Sequence, residues 1–116
     1  MIKRKDTLTT IPSPALLGGE GTIYRTAFLQ PEEFHGKGRL FAHMRIPPGS
    51  SIGVHVHEGE QETFFILSGN GEVLEKGEWL PIGPGDVAIC PNGCQHGIRN
   101  TGNEDIEMIA LILNMD

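Results

Sequence analysis

From Gly69 onward, turn-forming residues interrupt the chain every few positions: Gly69-Asn70-Gly71, Lys76-Gly77, Gly83-Pro84-Gly85, Pro91-Asn92-Gly93 and Thr101-Gly102-Asn103. An α-helix of ordinary length has no room between such breaks, whereas a strand does. The pieces left between them (residues 72–75, 78–82, 86–90, 95–100 and 106–113) are strand candidates. Upstream, residues 22–29 are rich in β-formers, and Pro31 to Phe34 reads as one helical turn within a loop. Residues 39–46 alternate, with Leu40, Ala42, Met44 and Ile46 on an apolar face and Arg39, Phe41, His43 and Arg45 on the other. Sixteen glycines and eight prolines suit many short strands joined by tight turns. The expectation is an all-β fold in a single domain at 22–116, preceded by an N-terminal arm at 1–21 with a flexible bend at Gly18-Gly19-Glu20-Gly21. A chain of 116 residues buries roughly two-thirds of its unfolded surface, enough for a core without disulfides.

Charge is unevenly spread. Residues 1–45 hold seven basic and four acidic side chains, while residues 46–116 hold two and eleven, giving +3 and −9 within a net −6. This balance argues against nucleic acid or anionic membrane as a partner. No apolar run reaches the eighteen or so residues of a membrane span. The basic start MIKRKD leads into polar TLTT, unlike a secretory signal, so a cytoplasmic setting is expected. There Cys90 and Cys94, on either side of Pro91-Asn92-Gly93, would stay reduced and act as small packing residues.

The chemistry concentrates in residues 49–69, GSSIGVHVHEGEQETFFILSG. His55 and His57 lie two apart in a β-type run and so project from one face. Glu62 follows five residues later, which on one straight strand would point it the other way. A hairpin at Glu58-Gly59-Glu60-Gln61 would reset the alternation and return Glu62 beside the histidines, with Phe64 and Ile66 continuing the inward face. Two imidazoles and a carboxylate at one point suit Mn, Fe, Ni, Co or Zn. Glu58 and Glu60 read as a solvated turn near the mouth of such a site.

A second stretch, residues 85–100, reads GDVAICPNGCQHGIRN and carries His96 just past its turn. Together the two stretches run G-x5-H-x-H-x4-E-x6-G, fifteen residues, then G-x5-P-x-G-x2-H-x3-N, filled by Gly49, His55, His57, Glu62, Gly69, Gly85, Pro91, Gly93, His96 and Asn100. This paired pattern resembles that of the cupin superfamily, in particular its compact single-domain bacterial members. The resemblance implies an antiparallel jelly-roll β-barrel in which His55, His57, Glu62 and His96 hold one divalent transition metal, Mn or Fe above Ni, Co or Zn. It also implies a homodimer, with the arm and the strand from Thr22 covering open sheet edges across a two-fold axis.

Three neutral imidazoles and one carboxylate around a divalent ion leave net +1, and an octahedral ion would keep two adjacent positions open. These suit a small oxygen-rich anion: a carboxylate, keto acid or enediolate. Phe64, Ile66, Val87, Ile89, Ile98 and Met108 are the expected apolar wall. The chain has the general look of an oxalate decarboxylase, but those enzymes carry an arginine three residues before the first metal histidine, where this chain has Ile52. No other basic residue is expected to face the pocket, since parity turns Arg45 and Arg99 outward. The expectation is a metal-dependent enzyme that transforms such an anion, as a decarboxylase, dioxygenase, isomerase or lyase, with a non-catalytic or sensory binding barrel as the alternative. An acid or base in the pocket would separate enzyme from binder; Tyr24, His43 and Ser68 are the candidates.

Overall fold

A computed structural model describes residues 1–115. Ten strands follow in chain order: β1 (Thr10–Pro14), β2 (Thr22–Ala27), β3 (Gly38–Ile46), β4 (Ser51–Val56), β5 (Glu60–Ser68), β6 (Gly71–Glu75), β7 (Glu78–Ile82), β8 (Val87–Cys90), β9 (Gln95–Arg99) and β10 (Ile106–Asn114). They form two antiparallel sheets, one of six strands in the order β1-β2-β3-β10-β5-β8 and one of four in the order β4-β9-β6-β7. The expected all-β jelly roll is therefore present, and the strand candidates fall where the turn residues place them. The helical turn at Pro31–Phe34 is also there, capped by Gln30.

Alternation decides the core. On β10, Ile106, Met108, Ala110 and Ile112 are buried while the residues between them are partly exposed. Its neighbours β3 and β5 present Ala42, Met44, Ile46, Phe64 and Ile66 to the same side. Ile52, Val73 and Ile98 meet them from the four-stranded sheet. Each of these larger side chains contributes about 1.5–3 kcal/mol over an exposed position. Gly69 leaves β5 at φ 84°, and a Cβ there would stand 2.2 Å from the Asp105 carbonyl oxygen. Asn100, buried at the other end of the same corner, donates to the carbonyls of Ile46 and Glu104.

Two expectations are corrected here. Residues 58–61 do not make a hairpin, because β4 and β5 lie in different sheets. The turn carries the chain across the sandwich instead. The glycine-rich bend before β2 is anchored against β4: Ser51 N donates to Glu20 O (2.9 Å) and Glu20 N to Ser51 Oγ (2.8 Å). A Cβ on Gly53 would lie 2.0 Å from the Leu17 carbonyl oxygen, so glycine permits this close approach.

Candidate metal centre

The bond pattern of β4 with β9 shows how the four predicted residues meet. Ile52 pairs with Ile98 and His55 with His96, so β4 carries one extra residue between the pairs. Such a bulge flips parity and lets Ile52 and His55 both face inward, with His57 following just past the strand. His96 comes in beside them from β9. Glu62 arrives from the opposite sheet, where it shares the inward face of β5 with Phe64 and Ile66. His57, Glu62 and His96 are buried and His55 is half-buried.

The donor atoms lie close together. The three Nε2 atoms are 3.0, 3.0 and 3.1 Å apart (His55–His57, His57–His96, His96–His55). Glu62 Oε1 lies 2.9 Å from the Nε2 of His57 and of His96, and 3.9 Å from that of His55. Bonds of about 2.1 Å put neighbouring vertices of an octahedron about 3.0 Å apart and opposite ones about 4.2 Å, while a tetrahedron spaces all six pairs at about 3.4 Å. Five short separations and one long one are of the size that four residues holding one such ion would show. The residues therefore fit a divalent metal ion.

Tautomers support the same assignment. His55 Nδ1 is 2.6 Å from the Gly53 carbonyl oxygen and His57 Nδ1 is 2.6 Å from Glu60 Oε1. Each Nδ1 donates to its oxygen, which leaves both Nε2 lone pairs bare and aimed at one another and at a carboxylate. In their neutral form such rings could hold a cation between them. Burial holds His96 below the ordinary histidine range despite the attraction of Glu62, which keeps it neutral. Burial also works to raise the Glu62 carboxyl, but the imidazoles of His55 and His96 outweigh it and hold the group at about 2. The His96 ring stacks on Phe64, with centroids 5.0 Å apart, which fixes its plane.

Glu60 is not the solvated turn residue expected. It accepts from His57 and from Arg39, whose Nε and Nη2 reach its two oxygens at 2.6 and 2.7 Å. The Arg39 hydrogen bonds hold its carboxyl at about 2. Arg39 reaches this side because Ile112 pairs with Leu40 but Leu113 with Gly38, so Arg39 is the extra residue of a second bulge. A strict alternation cannot reveal that displacement.

A cavity of about 240 Å³ opens onto His55, His57 and Glu62. Leu16 and Leu17, just before the anchored bend, Ile52, Arg39 and, unexpectedly, Arg25 are among the residues of its wall. A larger groove of about 670 Å³ runs between the outer strands β7 and β8 and reaches the four donors only at His96. Of the expected apolar wall, Phe64, Ile66, Ile98 and Met108 are buried in the core but do not line the 240 Å³ cavity, and Val87 and Ile89 are more than half exposed. They pair with outward-facing Phe65 and Thr63, so Ala88 and Cys90 take the inward places. All four residues of β8 are apolar, and sequence there carries no parity. Tyr24, His43 and Ser68 do not reach the cavity: Tyr24 lies under the Arg45 guanidinium, and His43 and Ser68 contact Glu107. Arg99 faces outward as expected, on Glu72 and over the Trp79 ring. Cys90 is buried, which pushes its thiol up to about 11, and Cys94 is exposed; both are free thiols.

Residues 42–112 match the family model described as Cupin domain. The chain is 42% identical over 113 residues to an oxalate-binding protein of Thermotoga maritima, covering 97% of this chain and 93% of that protein. A crystal structure of a predicted oxalate decarboxylase from the same organism superposes with a TM-score of 0.95 at 42% identity, covering 99% of this chain and all of the other. A glucose-6-phosphate isomerase of Thermococcus kodakarensis is 28% identical over 110 residues, 83% of this chain and 57% of the isomerase. The matched span exceeds half the chain and encloses all four donors, and this protein belongs to the cupin family.

Proposed function

We propose that His55, His57, Glu62 and His96 hold one divalent transition-metal ion, Mn or Fe ahead of Ni, Co or Zn, and that a small oxygen-rich anion binds upon it. The observation that carries this is the donor set itself: bare imidazole nitrogens and a carboxylate oxygen at five short separations and one long one. A divalent ion there supplies Lewis acidity and a template for carboxylate or carbonyl oxygens. The protein's part is to fix the donors. Gly53 and Glu60 set the two tautomers, Phe64 sets the His96 plane, and the apolar walls at Ile52, Leu16 and Leu17 thin the water around the site. The oxalate-binding relative supports oxalate as the first ligand to try.

Binding is favoured over turnover by one observation. Among the described residues lining the cavity, the ionisable groups are His55, His57 and Glu62, the Arg39–Glu60 pair, and Arg25. None offers a free acid or base, which chemistry at carbon ordinarily requires. The protein is thus read as a metal-dependent anion-binding cupin, with a decarboxylase, dioxygenase, isomerase or lyase activity as the second reading. Elemental analysis tests the first part, with one ion per chain expected after dialysis. Calorimetric titration with oxalate tests the second, with heat expected only from loaded protein. A chain that takes up no metal contradicts the proposal. Release of formate or carbon dioxide from oxalate would establish turnover; its absence would make Ile52→Arg the variant to assay.

We also infer a cytoplasmic homodimer. None of the described helices is long and apolar enough to cross a membrane. Phe65, Leu67, Val87 and Ile89 expose an apolar strip on β5 and β8, and β1 leaves a free edge. Sedimentation at micromolar concentration should give twice the chain mass, and a monomer there contradicts the inference.

A further inference from the structure

Arg25 faces into the sandwich. On β2 it shares the side of Ile23, which is fully buried, while Tyr24 between them lies outside under Arg45. Its partner across to β3 is Met44, whose side chain is also in the core. A guanidinium on an inward face is costly unless it meets water or a partner. Here Nε donates to Ser13 Oγ (2.9 Å), the buried serine of β1, and among the described residues this is its one side-chain hydrogen bond. Arg25 borders the same 240 Å³ cavity as His55, His57 and Glu62, and its other side-chain donors make no hydrogen bond among the described residues.

Arg39 borders that cavity too, but its charge is matched in a two-bond pair with Glu60. Arg25 has no such carboxylate. Resting on the metal reading above, the cavity then carries +1 from the ion with Glu62 and +1 from Arg25. We propose that Arg25 is the specificity-determining residue of this site, taking the second carboxylate of a small dianion such as oxalate whose first oxygens lie on the metal. Its planar fork suits a carboxylate, and Ser13 holds it in place without neutralising it.

The test uses the Mn-loaded full-length chain and calorimetric titration with oxalate and, separately, with acetate. Arg25→Gln should weaken oxalate by about tenfold or more, the effect of losing a charge-assisted contact, and acetate by less than about threefold. Manganese content should be unchanged in the variant. Arg25→Lys should recover part of the loss, and Ser13→Ala, which leaves the charge but frees the fork, should weaken oxalate by a few-fold; both variants keep the question answerable if the glutamine variant does not fold. Wild-type oxalate affinity in Arg25→Gln, or equal losses for oxalate and acetate, would overturn the assignment while leaving the metal site standing. A wild-type chain that takes up no manganese would overturn the metal reading and this inference with it.

Discussion

Two histidine–carboxylate clusters lie on opposite sides of the same six-stranded sheet. Outside, His43 Nε2 meets Glu107 Oε1 at 3.1 Å, Ser68 approaches the other Glu107 oxygen at 3.4 Å, and Arg45 pairs with Asp105. Inside, Glu62 meets three imidazoles. The residue types are nearly the same, but the outer groups come from neighbouring strands of one sheet, whose side chains stand side by side. Such a face makes pairs. Four donors converge only where a second surface brings the others from across, as β4 and β9 do opposite β5. Burial adds the second difference, since water can solvate the outer pair but not three of the four inner donors.

The strongest way to break this comparison is to remove a histidine from each cluster. His57→Ala and His96→Ala should lose stoichiometric metal, a larger effect than the about 10–100-fold that follows from losing an outlying partner. His43→Ala should keep one ion per chain by elemental analysis. Equal metal content in all three would erase the distinction. Glu60→Gln should come next, lowering metal affinity by about 10–100-fold in a chelator competition, because His57 loses the group that fixes its tautomer and Arg39 loses its counterion.

Acid should act on the inner cluster in a defined order. The donors must be deprotonated, so metal affinity falls as pH drops through the imidazole range near about 6.5. Glu60 and Glu62 are both depressed to about 2 from 4.5, so the unfolded chain binds the extra protons. Their contribution to stability is complete above about pH 4.5 and is lost as pH falls toward about 2. Metal release followed by metal on a pH series should therefore precede acid unfolding followed by circular dichroism; unfolding before release would contradict the assignment. Glu58→Gln is the smallest effect expected: Glu58 is exposed, so oxalate affinity should rise by less than about twofold, and less still at high salt.

The amino-acid sequence alone determined a good deal of this protein. Turn residues marked the strands from residue 71 to 113, alternation on Leu40, Ala42, Met44 and Ile46 identified a core face, and the resemblance of the paired pattern to the cupin superfamily pointed to His55, His57, Glu62 and His96 as a candidate metal-holding set. The turns and the alternation are local, since a turn or a two-residue period is set by neighbours in the chain. What tertiary structure decided is what depends on partners across a sheet. Two bulges, revealed only by pairing, turned Ile52 and Arg39 toward the cavity. The all-apolar β8 took its parity from β5, which exposed Val87 and Ile89. Glu60 changed from a turn residue to a partner of His57 because β4 and β5 belong to facing sheets, not to one hairpin. Arg25 became a cavity residue for the same reason: its own alternation put it beside Ile23, but only the packing of one sheet on the other decided what stood opposite it.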